Sequence, residues 1–220
     1  MRIAYINPNA TTRMTGGIVA EAQAALPGPR ILGFTNHDGP AAIQGRADGE
    51  AAVPGLLALI PEARAQGAEA IVIACFDDTG LAEAQAMAGC PVLGIGQASY
   101  VMAQLLGLRF SVITSLAVSV PVIEENIRQQ GFSGNCASVR ASGLPVLTID
   151  AGAPETLDRI AAEIMAARDE DGARCAVLGC AGMAPLKGAL SARTGMSLID
   201  GVTASAHLAR AALSHAAPRA

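Results

Sequence analysis

At 220 residues the chain is long enough to bury a substantial core as one domain or two small ones, and 51% hydrophobic with 15% charged residues excludes the polar bias of disorder. A net charge of −4 without a basic patch argues against nucleic acid or an anionic membrane as partner, and 3% aromatic residues with no tryptophan offer no base-stacking surface. Small-molecule chemistry is the expected work.

The first apolar run, RIAYIN at 2–7, stops at Asn7 and is too short for a signal peptide core or a membrane span, so a cytoplasmic location is expected. Helical spacing follows over 12–26, then the run RILGFT at 30–35 and a second helical stretch over 49–66. AIVIAC at 70–75, PVLGIG at 91–96 and RFSVIT at 109–114 come next, with Ser119 before Pro121 reading as a cap and first helical turn. CASVR at 136–140, a helix over 155–170, CAVLGC at 175–180, SLID at 197–200 and a last helix over 202–213 complete the chain. Eight short runs alternating with helices are the pattern of βα units on parallel sheets.

The spacing divides these eight into two groups of four. Cys75 lies 68 residues after Asn7, and Cys180 lies 66 after Thr114; Gly96 and Gly201 each follow the corresponding cysteine by 21. An internal duplication is inferred: an α/β protein of two pseudo-symmetric domains, each with a four-stranded parallel sheet, and, if the halves face each other about a pseudo-twofold axis, an active site in the cleft between them. The expected domains are 1–97 plus 205–220, where the last helix returns to the first half, and 98–204. Parallel sheets bind ligands beyond the carboxyl ends of their strands, which puts Cys75 and Cys180 on the functional edge of each half.

The five cysteines are odd in number and contain no CxxC pair, so neither a disulfide framework nor a zinc site is expected. His37, His207 and His215 lack ligand spacing, and no metal is assigned. GIGQAS at 94–99 departs from a dinucleotide fingerprint, with Ser99 in place of the last glycine. Cys90, Cys136 and Cys175 read as structural, since free cysteine behaves as a small buried apolar residue. Cys75 and Cys180 are different. A thiol at a strand end near backbone N–H groups and a helix start is expected to have its pKa lowered toward neutrality. Two such thiols on opposite faces of one carbon suit inversion of a stereocentre: one removes a proton, the other delivers one, and backbone N–H groups hold the enolate oxygen. No organic cofactor is required where a carbonyl already acidifies the proton. Asp77 and Asp78 read as helix-capping carboxylates, and their charge beside Cys75 would oppose thiolate formation unless held away.

The segments INPN (6–9), TNHDGPAAIQG (35–45), IACFDDTGL (73–81), GLRFSVITS (107–115), SVPVIEENI (119–127), VLGCAGM (177–183) and IDGV (199–202) together strongly resemble hydantoin racemases of the aspartate/glutamate racemase superfamily, with allantoin racemases as near relatives. The resemblance covers nearly the whole chain. It implies cofactor-independent racemisation of 5-substituted hydantoins or of allantoin, with Cys75 and Cys180 as the catalytic pair, in a homo-oligomer. Asn7, Ile43, Phe76, Asp77, Thr114, Ser115, Ala181 and Gly182 are the substrate contacts taken with it, Asn7 and Thr114 because they end matching strands. Phe76 and Met183 are candidates for the wall of a side-chain pocket and equally suited to the core. The chain departs from the usual pattern at Ala42, Gln44, Thr79 and Gln97, where a hydroxyl residue, glutamate, proline and glutamate are usual; such changes bear on which ligand the site accepts. Related alternatives are a superfamily decarboxylation or cis–trans isomerisation, a binding protein with inert thiols, and redox control through a Cys75–Cys180 disulfide.

Overall fold

The structure, a computed structural model, describes residues 1–215; residues 216–220, the end of the segment expected to return to the first domain, lie outside the described residues. Every one of the eight predicted runs forms a strand. Apolar and β-branched residues build β1 (Arg2–Asn7), β2 (Arg30–Thr35), β3 (Ala70–Ile73) and β4 (Val92–Gly94), then β5 (Phe110–Thr114), β6 (Cys136–Ala141), β7 (Cys175–Gly179) and β8 (Ser197–Asp200). They form two separate all-parallel sheets, in the orders β2-β1-β3-β4 and β6-β5-β7-β8. The second order repeats the first with each number raised by four, so the duplication read from spacing is a duplication of topology.

The central strands β3, β5 and β7 are buried along their length, as strands covered by helices on both faces must be. The predicted helices are α1 (Thr12–Ala25) and α2 (Arg46–Ala65) in the first half, and α5 (Val120–Gln129) and α7 (Pro154–Asp169) in the second. Short helices α3 (Leu81–Met87), α6 (Val146–Ala151) and α8 (Lys187–Thr194) fill connections that periodicity alone leaves open. Two further helices join the halves. Helix α4 (Ile95–Leu105) leaves the first sheet and packs against β7 and β8, while α9 (Gly201–His215) leaves the second and packs against α1, β3 and β4. The expected boundaries at 97/98 and 204/205 fall inside these two helices.

One apolar core therefore runs through both halves, from Ile3 and Tyr5 through Ile95 and Tyr100 to Phe110, Val177 and Ile199. A second cluster lies under α2 and α3. Tyr5 fastens the return of α9: its buried hydroxyl donates to the Val202 carbonyl at 3.0 Å and pairs with Ser205 Oγ at 2.9 Å. Polar links also cross between the halves near the strand ends. Gln44 Oε1 accepts the N–H of Val146 at 2.9 Å, and Asn126 Nδ2 donates to the Asp77 carbonyl at 2.7 Å.

Candidate active site

Both sheets deliver their third strand toward the same space. Strand β3 stops at Ile73, two residues before Cys75, and β7 stops at Gly179, one before Cys180. The two cysteines line one cavity of about 30 Å³. Of the residues named from the sequence, Ile43, Phe76, Asp77, Thr114, Ser115 and Ala181 line it with them. A wider cleft of about 280 Å³ adjoins it, and Asp77 belongs to the walls of both.

Two of the expected contacts stand back from the cavity. Asn7 is fully buried, and its Nδ2 donates to Asn9 Oδ1 and Thr15 Oγ1, each at 3.0 Å, while its Oδ1 accepts the Asn9 N–H at 3.2 Å. It orients Asn9, which does line the cavity. The same NPN motif thus places in the cavity wall a residue that sequence reasoning missed, two positions further on. Gly182 bears on the site through its backbone, whose N–H favours the Cys180 thiolate. Met183 is fully buried in the core. Met14, Ser119 and Val146 also line the cavity without having been anticipated. Ser119 had been read as a helix cap, yet its side chain makes no capping bond to α5.

The environment of the thiols corrects the expectation of lowered pKa values. Burial pushes the Cys180 thiol up to about 12, against the N–H groups of Gly182 and Met183, which favour the thiolate. Cys75 is raised further, first by burial and then by the Asp77 carboxylate, with the Thr79 hydroxyl and the Asp77 N–H opposing. Desolvation in a closed cavity outweighs a few oriented dipoles. The Thr79 hydroxyl lies 3.6 Å from Cys75 Sγ, a long bond of the kind sulfur makes. Both cysteines are free thiols.

The neighbouring aspartates divide in function. Asp78, with a backbone φ of 49°, turns its carboxylate onto the start of α4, accepting the N–H groups of Gly96 at 2.9 Å and Gln97 at 2.8 Å. It caps a helix, as its residue type suggests, although the helix begins 17 residues later in the chain. Burial still moves its carboxyl up to about 7. The glycines of GIGQAS make room for it: a Cβ at Gly94 would lie 1.9 Å from Asp78 Oδ1. Asp77 is not engaged in this way. Its Oδ2 is buried with no hydrogen-bond partner among the described residues, and burial raises its carboxyl to about 7. Among the described residues, no group of three His, Cys, Asp or Glu side chains is placed to hold a metal ion, and no helix is long and apolar enough to cross a membrane.

Two duplicated α/β halves, each bringing a free thiol from the end of its third strand to one cavity, define the frame of a small-molecule enzyme site. The sequence matches the Asp/Glu/hydantoin racemase family over residues 3–209, and the chain belongs to that family. It is 45% identical to the hydantoin racemase of Rhizobium meliloti over 97% of this chain and 89% of that protein. Among solved structures it is similar to allantoin racemase from Klebsiella pneumoniae, with a TM-score of 0.92, 36% identity and coverage of 97% and 88% of the two chains. Allantoin racemase from Pseudomonas fluorescens follows at a TM-score of 0.88 and 30% identity, covering 100% and 99%. The protein is an isomerase, a racemase acting on a small molecule.

Proposed function

We propose that the protein racemises 5-substituted hydantoins by proton transfer between Cys75 and Cys180. The observation that carries this reading is the delivery of both thiols to one cavity by corresponding strands of two matching sheets. In a hydantoin the C5 proton is acidified by the adjacent ring carbonyl. One cysteine, as thiolate, removes that proton from one face, and the other, as thiol, gives its proton to the opposite face. The first ends as thiol and the second as thiolate, so proton and charge balance, and the reverse turn restores the starting state.

Thr114 and Ser115 offer hydroxyl groups to the ring, while Ile43, Phe76 and Ala181 bound it with apolar surface. Thr114 Oγ1 already donates to the Gly179 carbonyl at 3.1 Å, which leaves its lone pairs for a ring N–H. Asn7 acts by holding Asn9, and Gly182 by holding the Cys180 sulfur. A cavity of about 30 Å³ has room for only a few water molecules, so ring binding displaces part of the wall. Ring entry dehydrates the cavity further, and the thiolate forms against the N–H groups aimed at it.

Allantoin is a hydantoin with a ureido group at C5, and the likeness to allantoin racemase structures supports it as a second substrate. Each enantiomer of methyl-, benzyl- and isopropylhydantoin and of allantoin, incubated with the enzyme in D₂O, tests the reading. Deuterium at C5 together with decay of optical rotation is expected for at least one of them; absence of both across the whole panel would sink it. The same reading carries a cytoplasmic homo-oligomer, which light scattering and cell fractionation test.

A further inference from the structure

Among the described residues Asp77 is the one carboxyl group in the wall of the thiol cavity, and no hydrogen bond among them occupies its buried Oδ2. Its neighbour Asp78 has a helix to cap. Asp77 Oδ2, by contrast, is buried without a hydrogen-bond partner among the described residues, a costly arrangement for an acceptor-only carboxylate and a useful one for a group awaiting a ligand. It lines the same cavity as both thiols, and its charge there raises Cys75 and Cys180 alike. The Asn126 side chain holds its backbone carbonyl from the second half and fixes the position of the residue.

We infer that Asp77, as a neutral carboxylic acid, donates a hydrogen bond to the carbonyl oxygen next to the reacting carbon and so stabilises the enolate formed between the thiols. This rests on the hydantoin reading above and deepens it, by naming the group that meets the developing negative oxygen. A carboxylate there would repel that oxygen and oppose thiolate formation on either side; a carboxylic acid does neither. The hydrogen bond strengthens as charge moves onto the oxygen, and the acid proton stays on Asp77 throughout. Burial, which holds this carboxyl at about 7, keeps the acid form populated near neutrality. The titratable and charged groups around it are Cys75 and Cys180 in the cavity, Asp78 beside it, Tyr100 behind, and Arg46, Glu50 and Glu83 in the outer cleft.

The requirement for a neutral acid and a thiolate together has a kinetic signature. Below about pH 7 the thiolate fraction, and with it kcat/KM, rises about tenfold per pH unit; above about 7 ionisation of Asp77 cancels further gain and the profile is flat. In Asp77→Asn the amide keeps a donor but cannot ionise, so kcat/KM continues to climb between about pH 7 and 9. At pH 6, Asp77→Asn retains activity within about tenfold, while Asp77→Leu, which removes charge and donor together, falls by about 100-fold or more. The readout is deuterium exchange into a hydantoin that the wild-type enzyme racemises.

Asp77→Leu matching Asp77→Asn would mean that only the charge matters, and would overturn the inference. If Asp77→Leu does not fold, the comparison of wild type with Asp77→Asn decides by itself: parallel rising profiles above pH 7 overturn it, and divergence supports it. Wild-type enzyme without exchange on any hydantoin or allantoin refutes the proposed function and this inference with it, whereas an active wild type with Asp77 variants indistinguishable from it refutes the inference alone.

Discussion

Thr79 shows how one side chain can bear on the reactive group. Its hydroxyl donates to Cys75 Sγ and opposes the burial and the Asp77 charge that raise that thiol. Proline, the residue usual at this position in hydantoin racemases, has no such donor. Thr79→Val is expected to slow iodoacetamide alkylation of Cys75 by about 3- to 10-fold at pH 8 to 9, the loss of one weak hydrogen bond, with Cys180 unchanged and Thr79→Ser close to wild type. Peptide mapping by mass spectrometry separates the two cysteines. An equal effect on both would point to a general loosening of the cavity. The catalytic candidates were legible from spacing, because strand-end thiols recur at the same distance in each half. The contacts around them were less so. Asn7 and Asn9 are alike in type and two positions apart, and only the packing of α1 decides that the first is buried against Thr15 and the second faces the cavity.

At the scale of elements, the two helix starts after β4 and β8 are where the halves meet. A Cβ at Gly201 would lie 2.2 Å from the Ile95 carbonyl oxygen, and neither backbone can move without shifting a strand. Gly201→Ala is expected to destabilise the protein by about 3 kcal/mol, at the upper end for overpacking, readable as a lower urea midpoint. Gly188→Ala, at an open helical position, serves as the neutral control. The equal 21-residue spacing of Gly96 and Gly201 from the cysteines marked both as special without saying why. The reasons differ: at Gly96 a Cβ would meet the Phe76 carbonyl at 2.4 Å and the Asp78 carboxylate close by, and at Gly201 it would meet the other half of the molecule. Local rules likewise identified Asp78 as a cap but could not identify its helix, since the carboxylate reaches α4 through a left-handed turn across the sheet edge.

For the whole molecule, the buried site is a source of pH-dependent instability. Asp77 has a folded pKa of about 7 against an unfolded value near 3.9, so the folded state holds its proton more tightly. A group raised in this way contributes its stability below about pH 4 and loses it as pH rises toward 7. Asp77→Asn is therefore expected to unfold at the same free energy as wild type near pH 4 and to exceed it by up to about 4 kcal/mol at pH 8, measured by urea denaturation at each pH. A more stable and less pH-sensitive variant would be the complement of its altered kinetics. The raised thiols Cys75 and Cys180 act in the same direction above about pH 8.5, where the unfolded chain begins to lose thiol protons and the folded one does not.

The amino-acid sequence by itself determined the architecture: the alternation of short apolar runs with helical stretches named all eight strands, and the repeat of their spacing paired the halves and singled out Cys75 and Cys180. These are properties of periodicity and chain distance, which sequence carries directly. Only the tertiary structure decided the state of the groups it placed together. The thiols are raised and not lowered because two halves closing over them exclude water, Asp78 takes the helix terminus while the buried Asp77 Oδ2 has no hydrogen-bond partner among the described residues, and α9 returns to the first half to seal one core. Burial and the competition for hydrogen-bond partners arise between residues up to 200 positions apart, as between Tyr5 and Ser205, and no local pattern encodes them.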